Sequence, residues 1–308
     1  MNKIMNKITN KIKIKTVELF AGISMTLRGI QNTDCFEPEP QAICENDINA
    51  IIANAATHYG LTPEMIATYP DYPSRQEMVD TLVKKNIGYD FIKAKPYNWQ
   101  KLINSADSKN QLKTVWLADH ITNNLGDITK VDEIPPCGLV TWSFPCTDLS
   151  QSGKQMGMAE GQTRSGLAWE VLRILKNMKA KNHLPNFLLM ENVDALVSKK
   201  FINDYENLNK EFAELGYDCK YQILNGKFCG VPQNRRRVFG VYWLKDKINL
   251  SAFEFPKPFD KGIRLKDVLE DEVDEKYYID NERTQALIKN LVETKPELME
   301  EIFGEKPE

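Results

Sequence analysis

The chain is poor in metal-binding residues and lacks the spacings that would make ligands of them. It has three histidines (His58, His120 and His183) and six cysteines, and no two cysteines form a Cys-x-x-Cys pair. Structural zinc sites and small disulfide scaffolds both need such residues at short, regular spacings. The sequence therefore argues against a metal site and against a disulfide scaffold, and a reduced cytoplasmic setting is expected.

Long apolar runs, a basic net charge and a glycine-rich dinucleotide fingerprint are also missing. No stretch approaches the ~18 consecutive apolar residues of a membrane helix. The lysine-containing N-terminus has neither the apolar core nor the cleavage pattern of a secretory signal. The net charge is −3, so nucleic-acid binding would need a local basic patch. Without a Gly-x-Gly-x-x-Gly motif, a Rossmann dehydrogenase is disfavoured.

The most informative feature that is present is an apolar run that ends at a cysteine. Residues 139–146 read Leu-Val-Thr-Trp-Ser-Phe-Pro-Cys, and a polar loop with glycines at 153, 157 and 161 follows. The carboxyl ends of strands are where open α/β sheets bind their ligands. Cys146 is therefore a candidate nucleophile, with an inert buried thiol as the alternative.

Two earlier strands predict a cofactor site. Ile12–Phe20 should be a strand that runs into a turn at Ala21-Gly22-Ile23 and a short helix. One glycine suits a nucleotide with a small or uncharged tail better than NAD. A second strand, 41–44, ends at Glu45, where α/β nucleotide binders hold ribose hydroxyls. The alternatives are an ordinary turn and a helix cap, and Asp47 is expected to be the cap of a helix over 48–59.

Two later segments add candidate polar groups. A buried strand over 186–190 is followed by Glu191 and Asn192, again at a strand's carboxyl end. Arg235 and Arg237 alternate with Arg236 at the entry to a strand over 238–244, so they should share one face. Paired guanidinium groups suit a phosphate or a base edge, although a solvated basic turn is as good an interpretation. Residues 61–124 predict an insertion with its own small core, in which aromatic residues pack rather than stack on bases.

Taken in chain order, these segments resemble the motifs of the cytosine-5 DNA methyltransferase family. Glu18-Leu19-Phe20-Ala21-Gly22 is similar to its first S-adenosylmethionine motif, Glu45 to its ribose-binding acid, and Gly126-Asp127-Ile128 to its adenine-contacting motif. Phe144-Pro145-Cys146, followed by Ser150 and Ser152-Gly153-Lys154-Gln155, resembles the catalytic loop. Glu191-Asn192-Val193 and Gln233-x-Arg235-x-Arg237 resemble two further motifs.

The resemblance implies a fold, a cofactor and a set of site residues. The fold is α/β: a Rossmann-like S-adenosylmethionine-dependent methyltransferase with a mostly parallel central sheet, helices on both faces and an insertion. S-adenosylmethionine would be bound by Phe20, Ala21, Gly22, Ile23, Glu45, Asn46, Asp127, Ile128, Pro145 and Leu167. Catalytic roles would fall to Cys146, Glu191, Arg235 and Arg237, and substrate contacts to Ser150, Asn192 and Gln233.

The implied chemistry explains why these residue types are needed. Cytosine C5 is a poor nucleophile until a thiolate, here Cys146, adds to C6. Glu191 would bind or protonate N3 as charge builds, and Arg237 or Arg235 would hold O2. A base inside duplex DNA must be flipped out to be reached, and the loop 147–163 would close over it.

The chain also departs from the family pattern. Ser24-Met25 replaces a glycine pair, Thr147 replaces a glutamine, and the insertion is longer than in compact members. We expect a flexible lead-in at 1–14, a catalytic domain at 15–260 with its insertion at about 61–124, and the start of a target-recognition region at 261–308. No counterpart of the last two family motifs is found, so a truncated or split enzyme completed by a second polypeptide is expected.

The expected substrate is double-stranded DNA, in a prokaryotic or phage-like restriction-modification context, with no membrane or metal. Two alternatives stay open. One is a tRNA cytosine-5 methyltransferase, and the other is a non-catalytic relic that binds DNA or cofactor.

Overall fold

The computed structural model describes residues 11–90, 95–103, 110–149, 157–159, 161, 163–278 and 281–297. These residues divide into two compact units. The first lies within Met1–Ile223 and Arg237–Glu254, and the second within Leu224–Arg236 and Phe255–Glu308.

A single six-stranded sheet is found in the described residues. Its strands are β1 (Ile12–Leu19), β2 (Phe36–Cys44), β3 (Leu139–Trp142), β4 (Phe187–Val193), β5 (Tyr217–Asn225) and β6 (Arg236–Leu244). The strand order is β2-β1-β3-β4-β6-β5. The pairs β1–β2, β1–β3 and β3–β4 are parallel, whereas β4–β6 is antiparallel. The predicted α/β fold with a mostly parallel sheet is confirmed, and the carboxyl ends of β1–β4 lie along one edge.

The helices follow the strands in the alternating order typical of this fold class. They are α1 (Met25–Gln31), α2 (Ile48–Tyr59), α3 (Pro63–Thr68), α4 (Arg75–Lys84), α5 (Gln111–Ile121), α6 (Ala168–Ala180), α7 (Ile202–Leu215) and α8 (Glu282–Thr294). In α6 the buried positions include Val171, Leu172, Leu175 and Met178, one stripe at helical spacing. Each such side chain contributes about 1.5–3 kcal/mol when fully buried.

The main core lies on the sheet around Trp142. This side chain is 2% exposed and contacts the rings of Phe144, Phe212 and Tyr242, with centroids 5.5, 5.6 and 6.2 Å away. The apolar run that predicted a buried strand at 139–144 is therefore buried as expected, and it holds the end of β3 in a fixed position.

Three strand boundaries differ from the sequence-based predictions. β2 begins at Phe36, ahead of two prolines, because it is an edge strand that pairs only with β1 and so has no inner ladder for proline to break. β4 continues through Val193, so Glu191 and Asn192 lie within the strand and not after it. β6 begins at Arg236, so Arg235 precedes the strand and the predicted shared face of Arg235 and Arg237 is not formed by strand geometry.

The insertion has its own hydrophobic cluster, as predicted, but it shares that cluster with α2. Its buried members include Leu82 on α4, Trp99, Leu112 on α5, and Ile51 and Ala55 on α2. Because α2 follows directly after β2, the insertion is fastened to the carboxyl edge of the sheet.

The second unit contains α8 and three short turns. In it, the Phe259 N–H donates to the Phe228 carbonyl at 2.9 Å, and Asn281 caps α8 by accepting from the Thr284 N–H at 3.0 Å. None of the helices in the described part of the chain has the length and apolar character needed to span a bilayer.

Candidate active site

The turn after β1 has an unusual backbone. Phe20, Gly22 and Ser24 all have positive φ, at 57°, 53° and 53°. Ser24 stands where the family has a glycine, and its left-handed conformation explains why glycine suits that position. The Ser24 hydroxyl accepts from Asn54 Nδ2 at 2.6 Å, which helps to hold the serine in this conformation.

Glu18, the last polar residue of β1, braces the turn from inside the protein. Its Oε1 accepts from the Leu27 N–H at 3.2 Å and from the Thr141 hydroxyl at 3.1 Å. Burial raises the pKa of Glu18, and hydrogen bonds from Ser24, Thr141 and Leu27 oppose that rise. This carboxyl therefore links β1, α1 and β3 beneath the turn.

Glu45, at the end of β2, is held by backbone donors. Its Oε2 accepts from the Gly22 N–H at 2.8 Å, and its Oε1 accepts from the N–H groups of Asn46 and Asp47 at 2.8 and 2.9 Å. Burial raises the pKa of Glu45, and these three hydrogen bonds oppose the rise. A carboxylate offers about four acceptor positions, so Oε2 can still accept one hydroxyl. Asp47 caps α2 as predicted, accepting from the Ala50 N–H at 2.9 Å.

Asp127, on the other side of β2, is also hydrogen-bonded at both carboxylate oxygens, but two of its three donors are side-chain groups. Its Oδ1 accepts from the Thr129 N–H and hydroxyl, both at 3.0 Å, and its Oδ2 accepts from Asn86 Nδ2 at 2.6 Å. Oδ1 thus accepts two hydrogen bonds, whereas Oδ2 accepts one and has an acceptor position left. Both acids are suited to receive a further donor from a ligand.

A cavity of about 590 Å³ opens at this edge of the sheet. Its volume lies in the ~300–1,000 Å³ range of ligand sites. Seven of the predicted cofactor residues line it: Phe20, Glu45, Asn46, Asp127, Ile128, Pro145 and Leu167. The other three, Ala21, Gly22 and Ile23, form the adjoining turn. A deep cavity with two acid acceptors, an aromatic wall and apolar sides fits an adenosyl group with a short charged tail.

The loop that contains Cys146 is fixed to its surroundings on both sides. Asn192 Nδ2 on β4 donates to the Phe144 carbonyl at 2.9 Å, and the Ser165 hydroxyl donates to the Pro145 carbonyl at 2.7 Å. The Asp148 carboxylate accepts from the N–H groups of Arg164 and Ser165 at 2.8 and 3.2 Å. Cys146 itself is half-buried and is not part of a disulfide.

Glu191 lies on β4, next to the end of β3. Its Oε2 accepts from the Ser143 hydroxyl at 2.7 Å, and its Oε1 is 3.1 Å from Nε of Arg237 on β6. The Glu191 and Arg237 side chains are 27% and 23% exposed, so a substrate can still reach them. Ser143 also lines the cavity, and it therefore connects the cavity to the Glu191 carboxylate.

Three other cysteines are poor candidates for the nucleophile. Burial raises the pKa of Cys137 and of Cys219 to about 12, and it also raises the pKa of Cys44 well above its ordinary value. Such groups remain thiols near neutral pH, and a thiol is a weak nucleophile. Cys146 is half-buried, and it lies in the loop that follows β3 at the carboxyl edge of the sheet.

Some predicted site residues are not brought into this arrangement. Ser150 and the 152–155 motif lie outside the described residues, as does much of the predicted closing loop 147–163. Gln233 and Arg235 are exposed and belong to the second unit. The described residues contain no group of three or more His, Cys, Asp or Glu arranged to hold a metal.

Sequence reasoning missed several residues of the site. Ser143 had one usable signal, because it is the first polar residue after the apolar β3. Asn86, Gly88 and Arg164 had none, because their proximity to the cavity depends on contacts between segments far apart in the chain.

Comparison with known proteins identifies the family. A family model described as C-5 cytosine-specific DNA methylase matches residues 86–303, more than half of the chain. The chain belongs to this family. The resemblance inferred from the motifs is thereby confirmed. The enzyme class, DNA (cytosine-5-)-methyltransferase, and S-adenosylmethionine as the methyl donor are confirmed at the level of the family.

Individual relatives agree with this assignment. The chain is 33% identical over 286 residues to the orphan methyltransferase M.SssI of Spiroplasma monobiae, covering 90% of this chain and 70% of that protein. It is 30% identical over 295 residues to the type II methyltransferase M2.ScrFI of Lactococcus lactis subsp. cremoris, covering 94% and 74%. A type II methyltransferase among the relatives agrees with the predicted restriction-modification context.

A solved structure, the S. pombe Dnmt2 methyltransferase, is similar in fold, with a TM-score of 0.50 and 17% identity. The match covers 91% of this chain and 66% of that one. The chain therefore spans about two thirds to three quarters of the length of these relatives.

Proposed function

We propose that this chain transfers a methyl group from S-adenosylmethionine to C5 of cytosine in DNA, through a covalent bond between Cys146 and C6 of a flipped base. The observation that supports this most is the position of Ser143. Its hydroxyl binds Glu191, and the same residue lines the cavity that fits the cofactor. A methyl donor in the cavity and a base beside Glu191 would then lie on two sides of one serine.

Residues at the ends of β1 and β2 bind the cofactor in this proposal. Oε2 of Glu45 accepts a ribose hydroxyl, and Asp127 lies in the motif that contacts adenine by family resemblance. Phe20 and Leu167 supply apolar walls. The bound cofactor supplies an electrophilic methyl group on a sulfonium.

Cys146 and Glu191 act on the base. The Cys146 thiolate forms a bond to C6, and the electron pair of the C5–C6 double bond is displaced so that C5 becomes nucleophilic. Glu191 binds N3 and stabilises the charge that builds on the ring. After methylation a base removes the C5 proton, and the C6–S bond breaks to restore the double bond and the thiolate.

Ser143 and Arg237 hold Glu191 in place for this work, one partner for each carboxylate oxygen. By family resemblance Arg237 or Arg235 would also hold O2 of the base, and Gln233 would contact the substrate. Asn192 acts indirectly, since its amide holds the Phe144 carbonyl two residues before Cys146.

DNA is favoured over tRNA because the matching family model is described as a DNA methylase. The assignment of 261–308 to the start of a target-recognition region, the second polypeptide and the cytoplasmic setting stay predictions.

Labelled methyl transfer tests the proposal. The purified chain is given S-adenosylmethionine with a labelled methyl group and either duplex DNA or tRNA, alone and with cell extract as a source of a second polypeptide. We expect label in 5-methylcytosine of DNA. Label in tRNA only would contradict the DNA substrate, and label at another position of cytosine would contradict the reaction. A full rate without extract would contradict the need for a second polypeptide.

A further inference from the structure

The order of the strands determines how a bound cofactor must run along the sheet edge. Glu191 is on β4, Ser143 follows β3, Phe20 follows β1 and Glu45 follows β2. Three strand spacings separate β4 from β2, about 14 Å at ~4.8 Å each. The methyl group must face Glu191 and the ribose must face Glu45. The nucleobase is therefore directed past β2, toward the edge of the sheet.

At that edge the insertion lines the cavity. Gly88, Tyr89 and Asp90 line it together with Gly126 and Asp127. These three residues follow α4 and belong to the insertion between β2 and β3. The segment whose length sets this chain apart from compact family members thus supplies part of the wall of the proposed cofactor site.

Main-chain hydrogen bonds fasten this wall to both neighbouring parts of the site. The Gly88 N–H donates to the Asn46 carbonyl at 2.8 Å, directly after Glu45. The Asp127 N–H donates to the Lys85 carbonyl at 2.9 Å. Behind the loop, Trp99 Nε1 donates to the Ile87 carbonyl at 3.0 Å from the core of the insertion. The loop 85–90 is therefore held from both sides and from behind.

Two glycines allow the close approach of these main chains. A Cβ on Gly126 would lie 2.4 Å from the Lys85 carbonyl oxygen, and a Cβ on Gly88 would lie 2.8 Å from Ile48 Cδ1. Both glycines have positive φ, at 86° and 76°. A side chain at Gly126 would push the turn at 126–128 away from the loop, and one at Gly88 would push the loop away from Ile48 on α2.

The loop also orients an acid. Both hydrogen bonds of Thr129 fall on Asp127 Oδ1, while Oδ2 accepts the Asn86 amide at 2.6 Å and has an acceptor position left. Asn86 has φ 55°, so the loop backbone turns its amide toward the acid. Asn86 thus fixes the position of Asp127 Oδ2. The direction from which a ligand's donor can reach that oxygen follows from this position.

We propose that the insertion loop 85–90 closes the adenine end of the cofactor cavity, and that Asn86 is a positioning residue that holds the Asp127 carboxylate toward the exocyclic amine of adenine. This inference rests on the proposed function, because it takes S-adenosylmethionine as the ligand. It gives the insertion a role in cofactor selection.

Calorimetric titration of the full chain with S-adenosylhomocysteine and with S-inosylhomocysteine tests it. The inosyl compound has an oxygen in place of the adenine amine, so its exocyclic group cannot donate to Asp127. We expect the wild type to prefer the adenosyl compound by about tenfold or more. Asn86→Gly keeps the positive φ accessible and removes the amide, and should lower affinity for the adenosyl compound about tenfold. The preference should fall toward unity, whereas a merely destabilised chain would keep it.

Two matched control variants distinguish a role of loop 85–90 in the cavity wall from general effects of substitution on stability. Asn110→Gly changes another insertion asparagine with positive φ, 50°, and should leave both affinities within about twofold. Gly88→Ala should weaken binding, while Gly60→Ala, at φ 69° with nothing within 4 Å of the new Cβ, imposes similar backbone strain away from the cavity and should not.

The outcomes distinguish the two proposals. A wild type that binds neither compound would overturn the proposed function and, with it, this inference. A wild type that binds normally, with Asn86→Gly and Gly88→Ala unchanged in affinity and preference, would overturn only the role of the loop.

Discussion

The two halves of the sheet edge hold their acids in different ways. In the cofactor half, backbone N–H groups bind Glu45, three of them at 2.8–2.9 Å. In the base half, two side chains bind Glu191, the Ser143 hydroxyl and the Arg237 guanidinium. Backbone donors cannot move without moving the chain, while side-chain donors can rotate. The cofactor half is thus prearranged for binding, and the base half can adjust as charge develops during a reaction.

The largest effect that would sharpen this comparison is expected at Cys146. Cys146→Ala should lower methyl transfer by about 1,000-fold or more, because no other group forms the bond to C6. Binding of S-adenosylhomocysteine should stay within about twofold, since Pro145 is the part of this loop that lines the cavity. Steady-state kinetics and calorimetry measure the two quantities.

Cys137→Ala is the matched control, because burial raises the pKa of that thiol to about 12 and keeps it protonated. It should retain most activity. A Cys146→Ala chain with more than a tenth of wild-type activity would contradict the assignment.

A large effect is also expected at Glu45, but on stability and cofactor affinity and not on the chemical step. Glu45→Ala removes the acceptor of three backbone N–H groups and should lower the free energy of unfolding by about 2 kcal/mol or more. Affinity for S-adenosylhomocysteine should fall about tenfold or more. Glu39→Ala, which breaks a surface ion pair between Glu39 on β2 and Lys13 on β1, should change stability by about 0.5 kcal/mol or less. If Glu45→Ala and Glu39→Ala lowered stability equally, the backbone donors of Glu45 would not be what holds the cofactor half in place.

A moderate effect is expected at Ser143. Ser143→Ala removes one of the two side-chain partners of Glu191 and should lower kcat about tenfold. The KM for S-adenosylmethionine should change less, because Glu45 keeps its three backbone donors. Ser143→Thr keeps the hydroxyl and should restore most of kcat. If threonine fails to rescue although the variant folds normally, the hydroxyl is not the feature that matters.

The smallest effect concerns the pH dependence of stability. Because burial raises the folded-state pKa of Glu18, the folded state binds more protons than the unfolded state between the ordinary value of 4.5 and the raised value. Stability is therefore lost as pH rises through that window. Glu18→Gln keeps an acceptor for Leu27 and Thr141 and should remove this loss, so its stability relative to wild type should increase as the pH rises above 4.5 through the raised pKa.

Glu77 gives a control of the opposite sign. Hydrogen bonds from Ser74 lower its pKa, so Glu77→Gln should be less stable than wild type at neutral pH, and the difference should disappear in acid. Urea unfolding at several pH values measures both differences, and the same sign for both variants would contradict the account.

Features that depend on local sequence were predictable. Apolar runs located β3 and most of β4, Asp47 was recognised as a cap, and Glu45 was placed directly after β2. Each of these follows from a few adjacent residues. The prolines of β2 misled the prediction, because only the tertiary structure shows that this strand is at the edge of the sheet.

The contacts that complete the site were not predictable from local patterns. The bond between Ser143 and Glu191 joins residues 48 positions apart, and the bond between Asn86 and Asp127 joins residues 41 apart. Such contacts depend on strand order and on how the insertion is fastened to α2. Family resemblance covered the sequence motifs, but it offered nothing on the contacts of the insertion, which is longer here than in compact members.

The central claim is that Cys146 attacks the base, and covalent trapping tests it most directly. Duplex DNA containing 5-fluorocytosine is incubated with the chain, S-adenosylmethionine and cell extract as a source of a second polypeptide, and adducts are examined by peptide mass spectrometry. Fluorine at C5 cannot be removed as a proton, so the intermediate should accumulate with C6 bonded to the Cys146 sulfur. We predict this adduct in the wild type and its loss in Cys146→Ala. No adduct under any of these conditions, or an adduct on another residue, would contradict the account.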